Sequence, residues 1–226
     1  MELSIDTSTR YAGVAISLDG QTLVEMAWRS EQNHSVELLP SVQRLMEQLK
    51  ISVADLSCIF VARGPGSFSA LRVGIATAKG IALARAIPLV GVGTLDMEAY
   101  PYVGMGRPVY AVVGAGRDQA AVARYEDEHD FTSGSSEPWL ASAEEVVGSV
   151  QGQAIFCGEG AAALASKGYK GTDVAFVRSV PPTRKPSILA HLGYQRFKGH
   201  NVDDTVSIEP IYLRGPSITK SKRWNY

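Results

Sequence analysis

The stretch LSIDTSTRYAGVAISLDGQTLVEMAWR, residues 3–29, decides how the chain begins to fold. In residues 11–18 and 21–29, apolar side chains alternate with others, which is the period of half-buried strands. Asp19-Gly20 between them is typical of a two-residue hairpin turn. Residues 3–6 add a short apolar run before the hairpin, so we predict a three-stranded meander.

The segment after the meander predicts the rest of one α/β lobe. Apolar residues at helical spacing through residues 38–49 indicate a helix. Residues 58–62 and 89–92 are apolar runs typical of buried strands, and residues 68–86 between them predict a second helix, which Pro88 ends. The resulting order β-β-β-α-β-α-β is a complete lobe, which we assign to residues 1–106.

The remaining chain predicts a smaller, degenerate second lobe over residues 107–186. The first elements predicted in this lobe are strands at 109–113 and 120–125, and a capped helix and two further strands follow them. A last helix, about 187–198, has a narrow apolar stripe. Residues 215–226 predict a flexible tail, whose basic and aromatic residues offer contact with RNA as the alternative.

Composition and charge argue against several classes of protein. The 226 residues carry a formal charge of −1, so no basic excess favours binding to nucleic acid. The start of the chain lacks the pattern of an export signal, and charged residues interrupt the apolar helix at 70–87, which argues against a membrane span. Cys58 and Cys157 lie in short apolar runs, which is typical of buried thiols. We therefore expect a cytoplasmic protein.

Two segments are candidates for phosphate contact. Asp6-Thr7-Ser8-Thr9 follows a strand, and an acid there can hold a metal ion or a water while hydroxyl and N–H groups meet phosphate. The loop at Gly64, Gly66 and Ser67 opens a helix, whose free N–H groups attract anions. Each has a plainer alternative, a polar turn for the first and a capped strand-to-helix turn for the second. Neither matches a standard phosphate-loop motif.

The histidines predict neither a metal site nor a catalytic base. No two of them are four residues apart on a helix, and Leu38 stands four residues after His34. Without such a pair, no residue is placed to activate water, so we predict no metal ligand and no catalytic residue. The histidines are His34, His129, His191 and His200.

Six segments of the chain carry the signature of one family, most densely over its first half. They are Ile5-Asp6-Thr7-Ser8-Thr9, His34-Ser35-Val36-Glu37-Leu38-Leu39-Pro40, Gly64-Pro65-Gly66-Ser67-Phe68-Ser69-Ala70-Leu71-Arg72-Val73-Gly74, Ala78-Lys79-Gly80, Ile87-Pro88-Leu89-Val90-Gly91-Val92 and Glu209-Pro210-Ile211-Tyr212-Leu213-Arg214. In order and spacing, the chain resembles the TsaB (YeaZ) family. One departure is the string Gly-Ser-Phe-Ser-Ala at 66–70, where that family usually has Gly-Ser-Phe-Thr-Gly.

The resemblance implies a two-lobed α/β fold with mixed sheets, the actin- and hexokinase-like (ASKHA) fold, in which the last helix, about 187–198, packs back on the first lobe. It also implies a non-catalytic scaffold that works with its paralogue TsaD and the ATPase TsaE. Together they transfer threonylcarbamoyl to the adenosine next to the anticodon of tRNAs that read A-starting codons. In that family TsaD holds the metal through two helix histidines and performs the transfer. Where the family often has Asp-Ala-Arg, this chain has Gly114-Ala115-Gly116-Arg117, which weakens the case for ATP hydrolysis.

The resemblance further implies a partner surface on two helices of the first lobe. TsaD would bind there, and a homodimer would use the same helices when the chain is alone. Contact with tRNA would be indirect or weak, no cofactor would be tightly bound, and nucleotide would bind only at an interface with partners. The second helix is apolar on several faces, which is typical of a helix that is deeply buried or shared. The surface maps to His34, Glu37, Leu38, Val42, Leu71, Arg72, Ile75 and Lys79.

Two other functions stay open on the sequence. An independent actin-fold ATPase or small-molecule kinase would use the segment 6–9 and the glycine loop. A peptidase, a name once attached to the wider family, needs a nucleophile beside a base. No histidine of this chain lies near a serine string such as GxSxG, so the residues support the peptidase least.

Overall fold

The structure, a computed structural model, describes residues 1–116, 118–132, 137–150, 152–166 and 173–213. Arg117 and the predicted tail at 215–226 lie outside the described residues. In the described part of the chain, no helix has both the length and the apolarity that crossing a bilayer requires.

The first lobe is built on a five-stranded sheet with the strand order β3-β2-β1-β4-β5. The first three strands form the predicted antiparallel meander, and β4 and β5 run parallel to β1. A short 3₁₀ turn, Val53–Asp55, precedes β4. The elements are β1 (Glu2–Asp6), β2 (Tyr11–Leu18), β3 (Gln21–Arg29), α1 (His34–Leu49), β4 (Cys58–Gly64), α2 (Phe68–Arg85) and β5 (Leu89–Gly93).

The second lobe holds another five-stranded sheet, in the order β10-β9-β6-β7-β8. The sequence did not predict α3, whose six residues are all buried and so show no amphipathic period, or the four-residue strand β8. The predicted capping box at Ser142 and Glu145 opens α4. Helix α3 (Thr94–Ala99) connects the two sheets, and the elements of the second lobe are β6 (Val109–Gly116), β7 (Gln119–Tyr125), β8 (Trp139–Ser142), α4 (Ala143–Gly148), β9 (Ala154–Cys157), α5 (Ala161–Ser166) and β10 (Val174–Phe176).

The two sheets have the same topology. Read from the edge, β3-β2-β1-β4-β5 and β8-β7-β6-β9-β10 both place an antiparallel meander beside two further strands, which run parallel to the adjoining strand of the meander, β1 or β6. No repeat is visible in the sequence, because strand order depends on the placement of apolar runs and not on residue identities. The duplicated sheet confirms the two-lobed α/β architecture and sets the turn after β1 opposite the turn after β6.

Helices cover both faces of the first sheet. Ile59 and Val61 of β4 share a core with residues of α1 and α2, whereas Phe60 faces α6 (Pro186–Lys198). The last helix therefore packs on the first lobe, where it contacts β1 to β5. A Cβ atom at Gly193 of this helix would overlap the ring of Phe60, so glycine permits this close approach. With helices on both faces, β4 is a continuous apolar run.

Candidate functional site

The polar turn after β1 and the glycine loop before α2 lie against each other. Ser8 donates from its backbone N and its Oγ to Asp6 Oδ1, over 2.8 and 2.6 Å. Thr7 Oγ1 donates to the carbonyl oxygen of Ala70, and the backbone N of Ser67 donates to the carbonyl oxygen of Ser8. A Cβ atom on Gly66 would collide with that same carbonyl group, so a side chain has no room there. The two candidate phosphate segments thus meet, as donors and acceptors to one another.

The second oxygen of Asp6 is bound by a buried arginine that the sequence did not single out. Arg184, which is 3% exposed, lies in the segment between the second sheet and α6. Its Nε donates to Asp6 Oδ2 over 2.9 Å, and its Nη1 donates to Glu98 Oε1 and Glu159 Oε1 over 2.9 and 2.8 Å. Its Nη2 donates to Thr9 Oγ1 over 2.8 Å, and that hydroxyl donates in turn to Glu159. We call these five residues the Arg184 cluster.

The electrostatics of the cluster favour a permanently charged guanidinium. Burial acts to lower the pKa of Arg184, but Asp6, Glu98 and Glu159 outweigh it, so the pKa lies above its ordinary value. Burial raises the pKa of Glu98, against the opposing effect of Arg184 and of the Thr183 hydroxyl, which donates to the same carboxylate over 2.6 Å. The arginine is therefore the cation that allows three carboxylates to lie together away from water.

A nucleotide-bound metal ion does not fit at Asp6 in this arrangement. The sequence makes the Asp6 carboxylate a candidate to hold a metal ion or a water, but one of its oxygens accepts from Ser8 and the other from Arg184. A cation there would have to displace the guanidinium or lie against its positive charge. Asp6 and Thr7 are also buried, with 4% and 2% exposure. The turn after β1 therefore has a structural role in which its acid is already engaged.

An open cleft of about 1070 Å³ separates the lobes beyond this cluster. Of the predicted phosphate residues, Thr9, Gly66 and Ser67 line it, whereas Asp6, Thr7, Ser8 and Gly64 do not. The opposite wall is formed by residues 113–116, and two arginines, Arg10 and Arg29, add positive charge on the first lobe. The cleft is large enough for a small molecule, but its floor is closed by the Arg184 cluster.

The helices predicted to bind a partner bury four of the residues assigned to that surface. Their exposed fractions are 4% or less, and they belong to the core of the first lobe or are fully enclosed. These four apolar side chains are therefore buried within the chain and do not face a partner, which corrects their assignment to the partner surface. The four are Leu38, Val42, Leu71 and Ile75.

The polar residues assigned to the same surface bind within the chain. The His34 ring is 7% exposed, and its Nε2 lies 2.9 Å from the carbonyl oxygen of Thr9. Glu37 accepts from Trp28 Nε1 over 2.9 Å, and hydrogen bonds from Ser30 and Trp28 lower the pKa of its carboxyl group. These contacts tie the start of α1 to the meander and leave neither side chain free.

Arg72 and Lys79 hold the last described segment, residues 203–213, against α2. The Arg72 guanidinium lies 3.8 Å from the centre of the Phe68 ring, and its Nε donates to the Tyr212 hydroxyl over 3.0 Å. Lys79 Nζ donates to the carbonyl oxygen of Val206 over 2.6 Å. We call residues 203–213 the strap.

Exposed apolar side chains remain on both helices. Val36 and Leu39 of α1 are 67% and 55% exposed, and Leu83 of α2 is 56% exposed. A contiguous exposed apolar patch is typical of a protein-binding surface, whereas single exposed apolar residues are common on any protein. The partner surface predicted for these helices stays a prediction.

Within the described residues, no group of three or more histidine, cysteine or acidic residues is arranged to hold a metal ion.

Comparison with known proteins identifies the family. The model of the TsaD family, described as tRNA N6-adenosine threonylcarbamoyltransferase, matches residues 28–184, more than half of the chain. The chain belongs to this family.

Within the TsaD family, the resemblance to TsaB is confirmed by relatives that match from end to end. The TsaB protein of Bacillus subtilis (strain 168), named for tRNA threonylcarbamoyladenosine biosynthesis, is 27% identical over 94% of this chain and 93% of its own. The threonylcarbamoyltransferase of Lawsonia intracellularis is 44% identical, but over only 35% of this chain and 21% of its own. The chain is thus a TsaB-type member of the TsaD family.

A solved structure supports the fold of this TsaB-type chain. YeaZ from Pseudomonas aeruginosa superposes with a TM-score of 0.76 and 23% identity, covering 94% of this chain and 99% of that one. Together with the duplicated sheets, the similarity confirms the two-lobed actin- and hexokinase-like fold that the sequence resemblance implied.

Proposed function

We propose that the chain is a non-catalytic subunit required for tRNA threonylcarbamoyladenosine biosynthesis. It acts with TsaD and TsaE in the cytoplasm, and the modified base is the adenosine next to the anticodon of tRNAs that read A-starting codons. The end-to-end similarity to TsaB supports the pathway. The observation that carries the non-catalytic role is the engagement of both Asp6 oxygens by Ser8 and Arg184.

The Asp6 carboxylate of this chain is not free to coordinate a metal ion. Phosphoryl transfer depends on acids that position a metal ion and a water, so a working ATPase needs such an acid free to coordinate. Here the acid at the end of β1 is part of a buried ion pair, and Gly114 and Gly116 stand on the opposite wall where an acid is often found in TsaB relatives. The same observation weighs against the alternative, an independent ATPase or kinase.

The partner surface of this subunit is the exposed side of α1 and α2. Val36, Leu39 and Leu83 would contact TsaD, or a second copy of the chain when TsaD is absent, since paralogues that share a fold can use one patch. Nucleotide, where it binds, would lie at the interface with a partner and not on Asp6. Contact with tRNA would be indirect or weak, in line with the formal charge of −1.

Reconstitution tests this function. The chain is combined with TsaD and TsaE from the same organism, tRNA, ATP and the threonylcarbamoyl donor, and the modified nucleoside is measured by mass spectrometry after digestion of the tRNA. We expect product only when both TsaD and this chain are present, and no ATP turnover by the chain alone. Product from the chain without TsaD, or an undiminished rate in its absence, would contradict the proposal.

A further inference from the structure

Arg184 joins parts of the chain that are far apart in sequence and that belong to both lobes. Asp6 and Thr9 lie at the end of β1 and in the turn that follows it, on the first lobe. Glu98 lies on α3, which connects the two sheets, and Glu159 lies between β9 and α5 on the second lobe. One side chain therefore contacts each lobe and the helix between them.

The three carboxylates need a cation at this position. Asp6 and Glu98 have side chains that are 5% and 1% exposed, and that of Glu159 is 15% exposed, so water screens their mutual repulsion weakly. A guanidinium suits the site because its planar fork offers donors in several fixed directions. Arg184 uses all three of its nitrogens, and each one reaches an oxygen within 2.9 Å.

We propose that Arg184 is a latch, whose guanidinium acts as the built-in cation between Asp6, Glu98 and Glu159 and fixes the two lobes in one relative orientation. Two-lobed proteins commonly open and close a cleft by movement about a hinge. With the latch in place, movement of one lobe would separate a buried charge from its partners, which is costly. The inference shares the contact between Arg184 and Asp6 with the proposed function, but it concerns the isolated chain, so measurements without TsaD or tRNA test it separately.

Chemical rescue provides the sharpest test of the latch. Arg184→Ala should lower the unfolding temperature by about 10 °C, because three buried carboxylates lose their cation. Millimolar guanidinium chloride, far below denaturing concentrations, should restore a few degrees of that loss by binding in the space left. Sodium chloride at the same ionic strength should not, and the wild-type chain should respond to neither salt.

Two further variants separate the latch from loss of a large side chain. Arg178→Ala removes an exposed arginine six residues earlier and should leave the unfolding temperature unchanged. The double variant Arg184→Ala/Glu98→Gln should be more stable than Arg184→Ala, because one unpaired negative charge is gone. If the double variant were less stable, or if guanidinium gave no rescue, the buried charge would not be the cause and the latch would be refuted.

Hydrogen–deuterium exchange tests the orientation of the lobes, including the case in which Arg184→Ala fails to fold. Arg184→Lys keeps the charge and most of the volume, but its single nitrogen cannot span all the partners. We expect at least several-fold faster exchange in residues 7–10 and 158–161, with β1 and β6 unchanged. Exchange equal to that of the wild-type chain at both segments would show that the lobes are held by other contacts and would overturn the proposal.

Discussion

At the scale of single residues, charges and thiols in this chain are engaged internally. His34, Glu37 and Asp6 have the residue types of a metal or phosphate site, yet each accepts or donates within the chain. A polar group that is buried must find a partner, and here the partners are backbone carbonyls, an indole and a guanidinium. Residue type alone therefore overstates the chemistry that these positions can perform.

The two cysteines give a prediction at this scale. Burial raises the pKa of Cys58 to about 12, and burial raises that of Cys157 well above its ordinary value. Since the thiolate is the reactive form, neither should react with a thiol reagent in the native chain at pH 8, and both should react in denaturant. Because both folded pKa values are raised, thiol ionisation should also lower the free energy of unfolding as pH rises above about 9.

Ellman's reagent at several pH values, with and without denaturant, measures this reactivity. The denatured chain serves as its own control, because both thiols then have ordinary pKa values. Fast labelling of one thiol per native chain would contradict the burial described here.

At the scale of elements, the approach of α6 to the first sheet depends on Gly193. Gly193→Ala adds a methyl group that overlaps the Phe60 ring, and overpacking of this kind costs about 1–3 kcal/mol. Helix propensity alone would favour alanine by ~1 kcal/mol. The sign of the measured change in the free energy of unfolding therefore shows whether overpacking or helix propensity is the larger effect. We expect a net loss of stability, measured by urea unfolding.

Gly80 on α2 is the matched control for this variant. A Cβ atom there has nothing within 4 Å, so Gly80→Ala should stabilise the chain by up to about 1 kcal/mol through helix propensity. Opposite signs for the two variants are expected. A stabilising Gly193→Ala would mean that α6 does not lie as close to β4 as the structure shows.

The strap provides a second prediction at this scale. Asp203 accepts from the backbone N of Gly91 over 2.7 Å and from Arg63 Nη1 over 3.0 Å. Asp203→Ala leaves both donors unpaired and should weaken the attachment of the strap by about 1–3 kcal/mol. Faster proteolysis within residues 203–213 would report its release.

Glu209→Ala serves as the control for the strap, because Glu209 is exposed and no described contact involves its side chain. It should leave the cleavage rate unchanged. Equal rates for Asp203→Ala and the wild-type chain would show that Lys79 and the packing of Ile208 hold the strap without the carboxylate.

At the scale of the whole molecule, the exposed sides of α1 and α2 are the surface proposed to bind a partner. Leu39→Glu and Leu83→Glu place charge on exposed positions and should change folding stability by less than about 0.5 kcal/mol. Each should weaken binding to TsaD at least tenfold, or about 1.4 kcal/mol, because the contact would bury an unpaired carboxylate. Size-exclusion chromatography and affinity capture measure binding, and circular dichroism measures folding.

Ile75→Glu is the contrasting variant. Ile75 is 4% exposed and belongs to the core beneath α2, so its replacement should unfold the first lobe rather than act on binding alone. If Leu39→Glu and Leu83→Glu both bind TsaD with wild-type affinity, the partner surface lies elsewhere on the chain.

The sequence by itself determined the local elements of this protein. The Asp19-Gly20 turn, the helical period after residue 38 and the apolar runs at β4 and β5 were enough to predict the first lobe, because each signal is contained within a few turns or strands. It failed for α3, since a fully buried helix of six residues has no polar face to give it a period, and it also missed the short strand β8.

Only the tertiary structure decided what the polar residues and helix faces do. The hydrogen bond from Arg184 to Asp6 spans 178 residues, and its partners Glu98 and Glu159 come from elements with no shared sequence pattern. The apolar residues of α2 run around the helix, so their spacing could not tell the face toward the sheet from the face toward a partner. Local periodicity in the sequence indicates that a side chain is buried. Which residue it packs against depends on how elements distant in sequence come together.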